Sequence, residues 1–189
     1  MFEAIFLDRD GTLNVERKDY VKAWHELAWL PGVLDELRRL AAVPAPILVV
    51  TNQSAIGRGL VSRNAVDQIH ARMQQVIHAA GGRVDEFYVC PHRPEDNCPC
   101  RKPKPGLLLK AAADLEIDLT KCVLIGDTVT DYEAASAVGC RCVLVQTGRQ
   151  GAQLPNLVAG GHHVAIVADL ASAVDLLLAQ VSPTTASVA

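Results

Sequence analysis

The sequence predicts an α/β domain built on a parallel sheet. Short apolar, β-branched runs recur along the 189 residues, and helical periodicities separate nearly all of them. That alternation is what parallel strands joined by crossover helices require. Acidic and polar residues also follow several of these runs directly, where open α/β sheets bind their ligands.

The elements follow in order. Ala4–Leu7 reads as a buried strand that delivers Asp8-Arg9-Asp10-Gly11-Thr12 at its carboxyl end. Gly32–Ala42 places Val33, Leu37 and Leu40 on one helical face. Ile47–Val50 is a second strand, ending in Thr51-Asn52-Gln53-Ser54. A long helix over Asn64–Ala80 aligns Val66, Ile69, Met73, Val76 and Ile77, and Gly81-Gly82 stops it. Val84–Val89 is the third strand. Pro105 opens a helix through Leu107, Leu108 and Ala111. Val123–Ile125 leads into Gly126-Asp127, a helix spans Thr130–Val138, and Gly139 ends it. Cys142–Val145 and Val164–Val167 complete the strands, His162 and His163 fall in a loop, and Asp169–Val181 is the last helix. Residues 1–181 are expected to form one domain, and the small polar tail 182–189 to be disordered.

Composition narrows the class. A net charge of −3 gives no general attraction to nucleic acid or anionic membrane, yet Arg101, Lys102 and Lys104 cluster as a small anionic ligand would need. No apolar run reaches the roughly 20 residues of a membrane helix. No basic-then-apolar leader is visible either, so the expected location is the cytoplasm; the expected state is a monomer.

The strand ends carry the chemistry. Asp8 is placed to attack phosphorus and Asp10 to give and take protons. Two anions repel, so a hard cation is needed, and Asp8 with Asp127 offers it oxygen ligands. Thr51 and Lys102 would stabilise the equatorial oxygens. Taken singly, the acids could cap turns, Thr51 and Asn52 could be turn residues, and Lys102 a solvated charge. Asp131 leaves two alternatives open, a helix cap or a support for the metal ligands.

The irregular segment around residues 90–105 supplies Cys90, His92, Cys98 and Cys100. Three thiolates and one imidazole match a closed, structural zinc site. Such a site would fix the loop that carries Arg101 and Lys102. Cys122, Cys140 and Cys142 have no nearby histidine and read as small buried hydrophobes. Trp24 reads as packing, with a sugar platform left open.

Asp8-Arg9-Asp10-Gly11-Thr12, Thr51-Asn52, Lys102 and Gly126-Asp127 resemble, in order, the four motifs of haloacid-dehalogenase-superfamily phosphatases. The resemblance implies a three-layer α/β/α Rossmann-like fold, magnesium dependence with Asp8, Asp10 and Asp127 as the metal set, and no separate cap domain. The run from Cys90-Pro91-His92 to Cys98-Pro99-Cys100-Arg101-Lys102-Pro103 is similar to a zinc-loop subgroup. That subgroup holds two activities. One removes the 7-phosphate of D-glycero-D-manno-heptose 1,7-bisphosphate for ADP-heptose and lipopolysaccharide supply; the other hydrolyses histidinol phosphate. Gly11–Val15, Thr51–Ser54 and Arg58-Gly59 look more like the heptose enzymes, which makes a small phosphorylated sugar the expected substrate. By the same resemblance, Glu16, Lys18, Asp19, Tyr20, Thr51, Asn52, Gln53, Ser54, Arg101 and Lys102 are expected to contact it. The region Glu16–Tyr20 is one residue longer than the family pattern, and Thr128 stands where some members carry lysine. A reading from another class is a non-enzymatic phospho-acceptor or zinc-ordered interaction module. Asp10, an acid suited to activating water, separates the two.

Overall fold

In the computed structural model, which describes residues 2–160 and 164–181, six strands make one parallel sheet. They are β1 (Ile5–Leu7), β2 (Ile47–Asn52), β3 (Glu86–Cys90), β4 (Val123–Gly126), β5 (Arg141–Val145) and β6 (Val164–Val167). Their order across the sheet is β3-β2-β1-β4-β5-β6. Register is set by pairs such as Leu7 with Val49 on one side and with Ile125 on the other. The order reverses between β1 and β4, so the crevice for a ligand lies beyond the carboxyl ends of those two strands.

Among the described residues seven α-helices pack around the sheet: α1 (Val33–Leu40), α2 (Ser54–Gly57), α3 (Arg63–Ala79), α4 (Gly106–Leu115), α5 (Val129–Ser136), α6 (Leu154–Leu157) and α7 (Leu170–Val181). Alternation along each strand divides the core into two layers. Ile5, Leu7, Ile47, Val49, Val123 and Ile125 face α1, α3 and α7 through Leu37, Leu40, Met73, Ile77 and Leu177. Phe6, Leu48, Val50, Leu124 and Leu144 face the other way, toward Leu108 and Ala111 of α4 and Ala134 and Ala135 of α5. Each fully buried aliphatic side chain contributes roughly 1.5–3 kcal/mol. The result is the expected three-layer α/β/α fold.

Local signals set the helix ends. Ser62 Oγ accepts the Ala65 N–H at 3.1 Å and starts α3, and Asp169 Oδ1 accepts the Ser172 N–H at 2.9 Å and starts α7. The third strand begins at Glu86, two residues later than its apolar run, because Asp85 turns its carboxylate back to the Ile47 N–H at 2.7 Å. Two short helices, α2 and α6, have no periodicity to announce them. The expectations for the tail 182–189 and for His162 and His163 fall outside the described residues. Among the described residues no helix is long and apolar enough to cross a membrane.

Candidate active site

Asp8 follows β1, and its N–H continues the ladder by donating to the Ile125 carbonyl at 2.8 Å. The backbone therefore holds the carboxylate at the β1/β4 seam. Its Oδ1 lies 2.8 Å from Lys102 Nζ. The same ammonium donates to Asp131 Oδ1 at 2.5 Å and to the Val50 carbonyl at 2.9 Å. All three of its donors are used. Burial works to strip a proton from Lys102, but the charges of Asp131 and Asp8 win and hold its pKa above the ordinary lysine value. For Asp8 burial dominates; even against Lys102 its carboxyl is pushed up to about 6.

Asp131 does both of the things its position allowed. Its Oδ2 accepts the Thr128 N–H at 3.1 Å and the Thr128 hydroxyl at 2.7 Å, closing a capping box on α5. Its Oδ1 is the buried counter-ion that orients Lys102. Gly126 makes room for it, since a Cβ there would run into the Asp131 carboxylate.

Asp127 is the anomaly that identifies a cation site. It is 1% exposed, and neither carboxylate oxygen has a hydrogen-bond partner. A buried carboxyl without partners is costly, and burial together with the charge of Asp8 pushes its pKa up to about 9. Gly11 and Gly148 both press against this carboxylate, so closely that a Cβ on either would collide with it. Asp8, Asp127 and Asp131 offer oxygens within 4.8 Å of one another. With both Asp131 oxygens already committed to Lys102 and Thr128, the free oxygens of this group come from Asp8 and Asp127. Hard oxygen donors in a tight anionic set suit magnesium.

The Asp10 carboxylate stands apart from that cluster. Arg9 grips it with Nε on Oδ2 and Nη2 on Oδ1, both at 3.0 Å. Asn14 Nδ2 donates to Oδ1 at 2.9 Å, and Gln53 Nε2 to Oδ2 at 2.8 Å. Burial would raise this carboxyl, yet the Arg9 charge and the four donors hold it below the ordinary value.

The Cys90, Cys98 and Cys100 sulfurs lie 3.3–3.6 Å apart, and His92 Nδ1 is 3.3 Å from Cys100 Sγ and 3.7 Å from Cys90 Sγ. A tetrahedron with metal–sulfur bonds of about 2.3 Å has edges of about 3.7 Å, so these four residues fit zinc. The loop is tied to the site by its backbone. Gln53 and Gly57 donate N–H groups to the Cys90 and Pro91 carbonyls at 2.8 and 2.9 Å. Asn52 clamps Lys102 from both sides, donating to its carbonyl at 3.1 Å and accepting its N–H at 3.2 Å.

Comparison with known proteins agrees with this geometry. The HAD-hydrolase-like family model matches residues 99–173. A D-glycero-beta-D-manno-heptose-1,7-bisphosphate 7-phosphatase of Pseudomonas aeruginosa is 39% identical over 145 residues, covering 77% of this chain and 82% of that protein. The chain belongs to the HAD-like phosphatases. A D-glycero-alpha-D-manno-heptose-1,7-bisphosphate 7-phosphatase of Mycobacterium tuberculosis is also 39% identical, over 149 residues, with 76% of this chain and 78% of that one covered. Among solved structures, D,D-heptose 1,7-bisphosphate phosphatase of B. bronchiseptica, complexed with magnesium and phosphate, superposes with a TM-score of 0.89 at 35% identity. That match covers 94% of this chain and 99% of the other.

In this HAD-like phosphatase the acids open into a cleft of about 450 Å³. Its walls carry seven basic and four acidic side chains, so a chain of net charge −3 presents a cationic cleft. Glu16, Lys18, Tyr20, Thr51, Asn52, Gln53, Ser54, Arg101 and Lys102 all line it. Thr51 is 1% exposed and accepts from Gln53 Nε2 at 2.8 Å. Arg101 Nη1 donates to the His92 carbonyl at 3.3 Å, tying the guanidinium to the zinc loop. Asp19 is the exception to the expected substrate set: it lies outside the lining and pairs with Arg17 and Lys22 at 2.9 and 3.1 Å. A short local pairing turned it away. The cleft also contains Arg58, Thr128, Thr130 and Arg149, of which Arg149 pairs with Glu16 at 3.1 Å. Nothing in the spacing announced Arg149, which reaches the site from the loop after β5. Trp24 packs partly buried on the core with Arg72 over its ring, and is not in the lining.

Proposed function

We propose that this chain hydrolyses the C7 phosphate of D-glycero-D-manno-heptose 1,7-bisphosphate, leaving the 1-phosphate, in ADP-heptose supply for lipopolysaccharide core. The observation that carries the reaction is the buried Asp8–Lys102–Asp131 chain beside an Asp127 carboxylate with no partner of its own. The heptose-bisphosphate names of the relatives support the substrate, as does a cationic cleft with room for a bisphosphate. Related enzymes carry names for both anomers, so either is compatible with this reading.

In this mechanism Asp8 attacks phosphorus in line. The bond to the C7 oxygen breaks as the aspartyl–phosphorus bond forms, and Asp10, a carboxylate at rest, takes the proton of the phosphate monoanion and passes it to the leaving alkoxide. Water then attacks the phosphorus, Asp10 takes its proton, and Asp8 is released with phosphate. Lys102 and Thr51 hold charge on the phosphoryl oxygens. Asp8 and Asp127 would hold a magnesium ion, which when bound would supply the neutralisation that lets an anion approach a carboxylate. Asp10, expected among the magnesium set, enters this reading through its carboxylate as acid and base only. Zinc held by Cys90, His92, Cys98 and Cys100 keeps Arg101 and Lys102 in position. The protein acts as one domain over residues 1–181, cytoplasmic and monomeric, without a separate cap.

The test is phosphate release from heptose 1,7-bisphosphate with magnesium, against histidinol phosphate as the control substrate. Turnover of the heptose that disappears in Asp8→Asn is the expected result. Equal or better turnover of histidinol phosphate would overturn the substrate, and full activity in Asp8→Asn would overturn the nucleophile.

A further inference from the structure

Arg9 lies between two acids of the site and on the cleft wall, yet it is only 1% exposed. One edge of its guanidinium forks onto Asp10. The other edge points into the protein, where Nη1 lies 3.0 Å from His70 Nε2. Guanidinium can only donate, so Nε2 must be the bare, accepting nitrogen of a neutral imidazole. Burial and the neighbouring Arg9 charge bring the His70 pKa down to about 3, consistent with that tautomer. His70 sits on α3, is 4% exposed, and stacks on Phe87 of β3 with ring centroids 4.3 Å apart and planes 14° from parallel. A row of Phe87, His70, Arg9 and Asp10 thus runs from the edge of the sheet to the strand end.

We propose that Arg9 and His70 are positioning residues that fix the Asp10 carboxylate in the rotamer from which it exchanges protons with the substrate oxygen. The inference rests on the phosphatase reading above. Asp10 is itself at the cleft, with its side chain 23% exposed; Asn14 and Gln53 each donate one bond to it, and only Arg9 grips both oxygens at once. A forked arginine fixes the rotamer only while it is itself held, and the accepting nitrogen of His70 holds it. Phe87 fixes the imidazole plane in turn. Both act through Asp10.

Leaving-group dependence distinguishes this from a purely structural role. A sugar alkoxide needs the Asp10 proton, whereas p-nitrophenolate leaves without one. kcat/KM reports the steps up to phosphoryl transfer, so the later hydrolysis that both substrates share does not mask the difference. His70→Phe keeps the stacked ring and removes the acceptor; His70→Gln restores an acceptor at similar reach. The expected result is a loss of about 10- to 100-fold in kcat/KM for heptose bisphosphate in His70→Phe, a change within about threefold for p-nitrophenyl phosphate, and recovery in His70→Gln. Equal losses on both substrates, or no loss on either, would overturn the proposal. If His70→Phe does not fold, Arg9→Lys takes its place in the same comparison. Failure of both to fold would make the pair a stability element and overturn the proposal too. Should the wild-type protein not turn over heptose bisphosphate, the substrate assignment fails by itself, and a simple alkyl phosphate against the aryl ester still tests the pair.

Discussion

Replacing Lys102 with methionine removes a buried cation that touches Asp8 and Asp131 together. With a chelator present, the wild-type Asp8 carboxyl at about 6 lies above its unfolded value of 3.8. A group whose pKa is raised on folding binds more protons in the folded state, so it stabilises at low pH and loses that stabilisation as pH climbs to the folded pKa. Wild-type stability from Asp8 therefore falls between about pH 4 and 6 and then levels off. Lys102 is protonated in both states across neutral pH and adds no slope. At 2.8 Å and an effective dielectric near 20, the Lys102–Asp8 attraction is on the order of 6 kcal/mol before relaxation. Losing it drives Asp8 far above 6, and the decline continues. Between pH 6 and 8 the variant should lose about 2–3 kcal/mol more than wild type, at up to about 1.4 kcal/mol per pH unit. Added to the general cost of breaking a buried pair, about 3–5 kcal/mol, this makes the variant marginal at pH 8 and sturdier at pH 6. Urea unfolding in EDTA at pH 6, 7 and 8 measures it. Parallel stability profiles for the two proteins would refute the reasoning.

Three further outcomes follow from the same geometry. Asp127→Asn should abolish the thermal stabilisation by magnesium, which at 100 times Kd amounts to about 2.7 kcal/mol in the wild type, while leaving the apo protein as stable or more so; an undiminished magnesium shift in calorimetry would remove Asp127 from the cation site. Gly11→Ala combines a φ of +85° with a Cβ that meets the Asp127 carboxylate, so it should lower apo stability by about 1–3 kcal/mol and activity by more than tenfold, and a fully active variant would count against the cradle. Purified protein should carry close to one equivalent of zinc, and Cys98→Ser should raise KM more than it lowers kcat because Arg101 loses its anchor. Less than about half an equivalent without chelator exposure would argue against a tight site.

The strands were legible because parallel strands buried on both faces read as unbroken apolar runs. Asp8, Asp10 and Asp127 were legible for a related reason, since they lie within three residues of the end of such a run. The partners of these residues were not. Asp131 and Lys102 meet through the fold, and so do Arg9 and His70, 61 residues apart. No local pattern marks His70, one polar residue on a helix otherwise read by its apolar stripe. Asn52 resembled a substrate donor, but both of its amide groups serve the Lys102 backbone. Asp19 pairs with Arg17 and Lys22 outside the cleft lining, a local arrangement that its place in the sequence did not announce.

The seam between β1 and β4 has a meaning for the life of the chain. Asp8 and Asp10 follow β1, while Asp127 follows β4 and Asp131 lies in the first turn of α5. A ribosome-bound or truncated chain that has built only β1 to β3 holds a nucleophile with nothing opposite it. The two halves meet across three pairs of residues, Ile5 with Val123, Phe6 with Leu124 and Leu7 with Ile125. Competence to cleave phosphate thus reports that β4 has docked on β1.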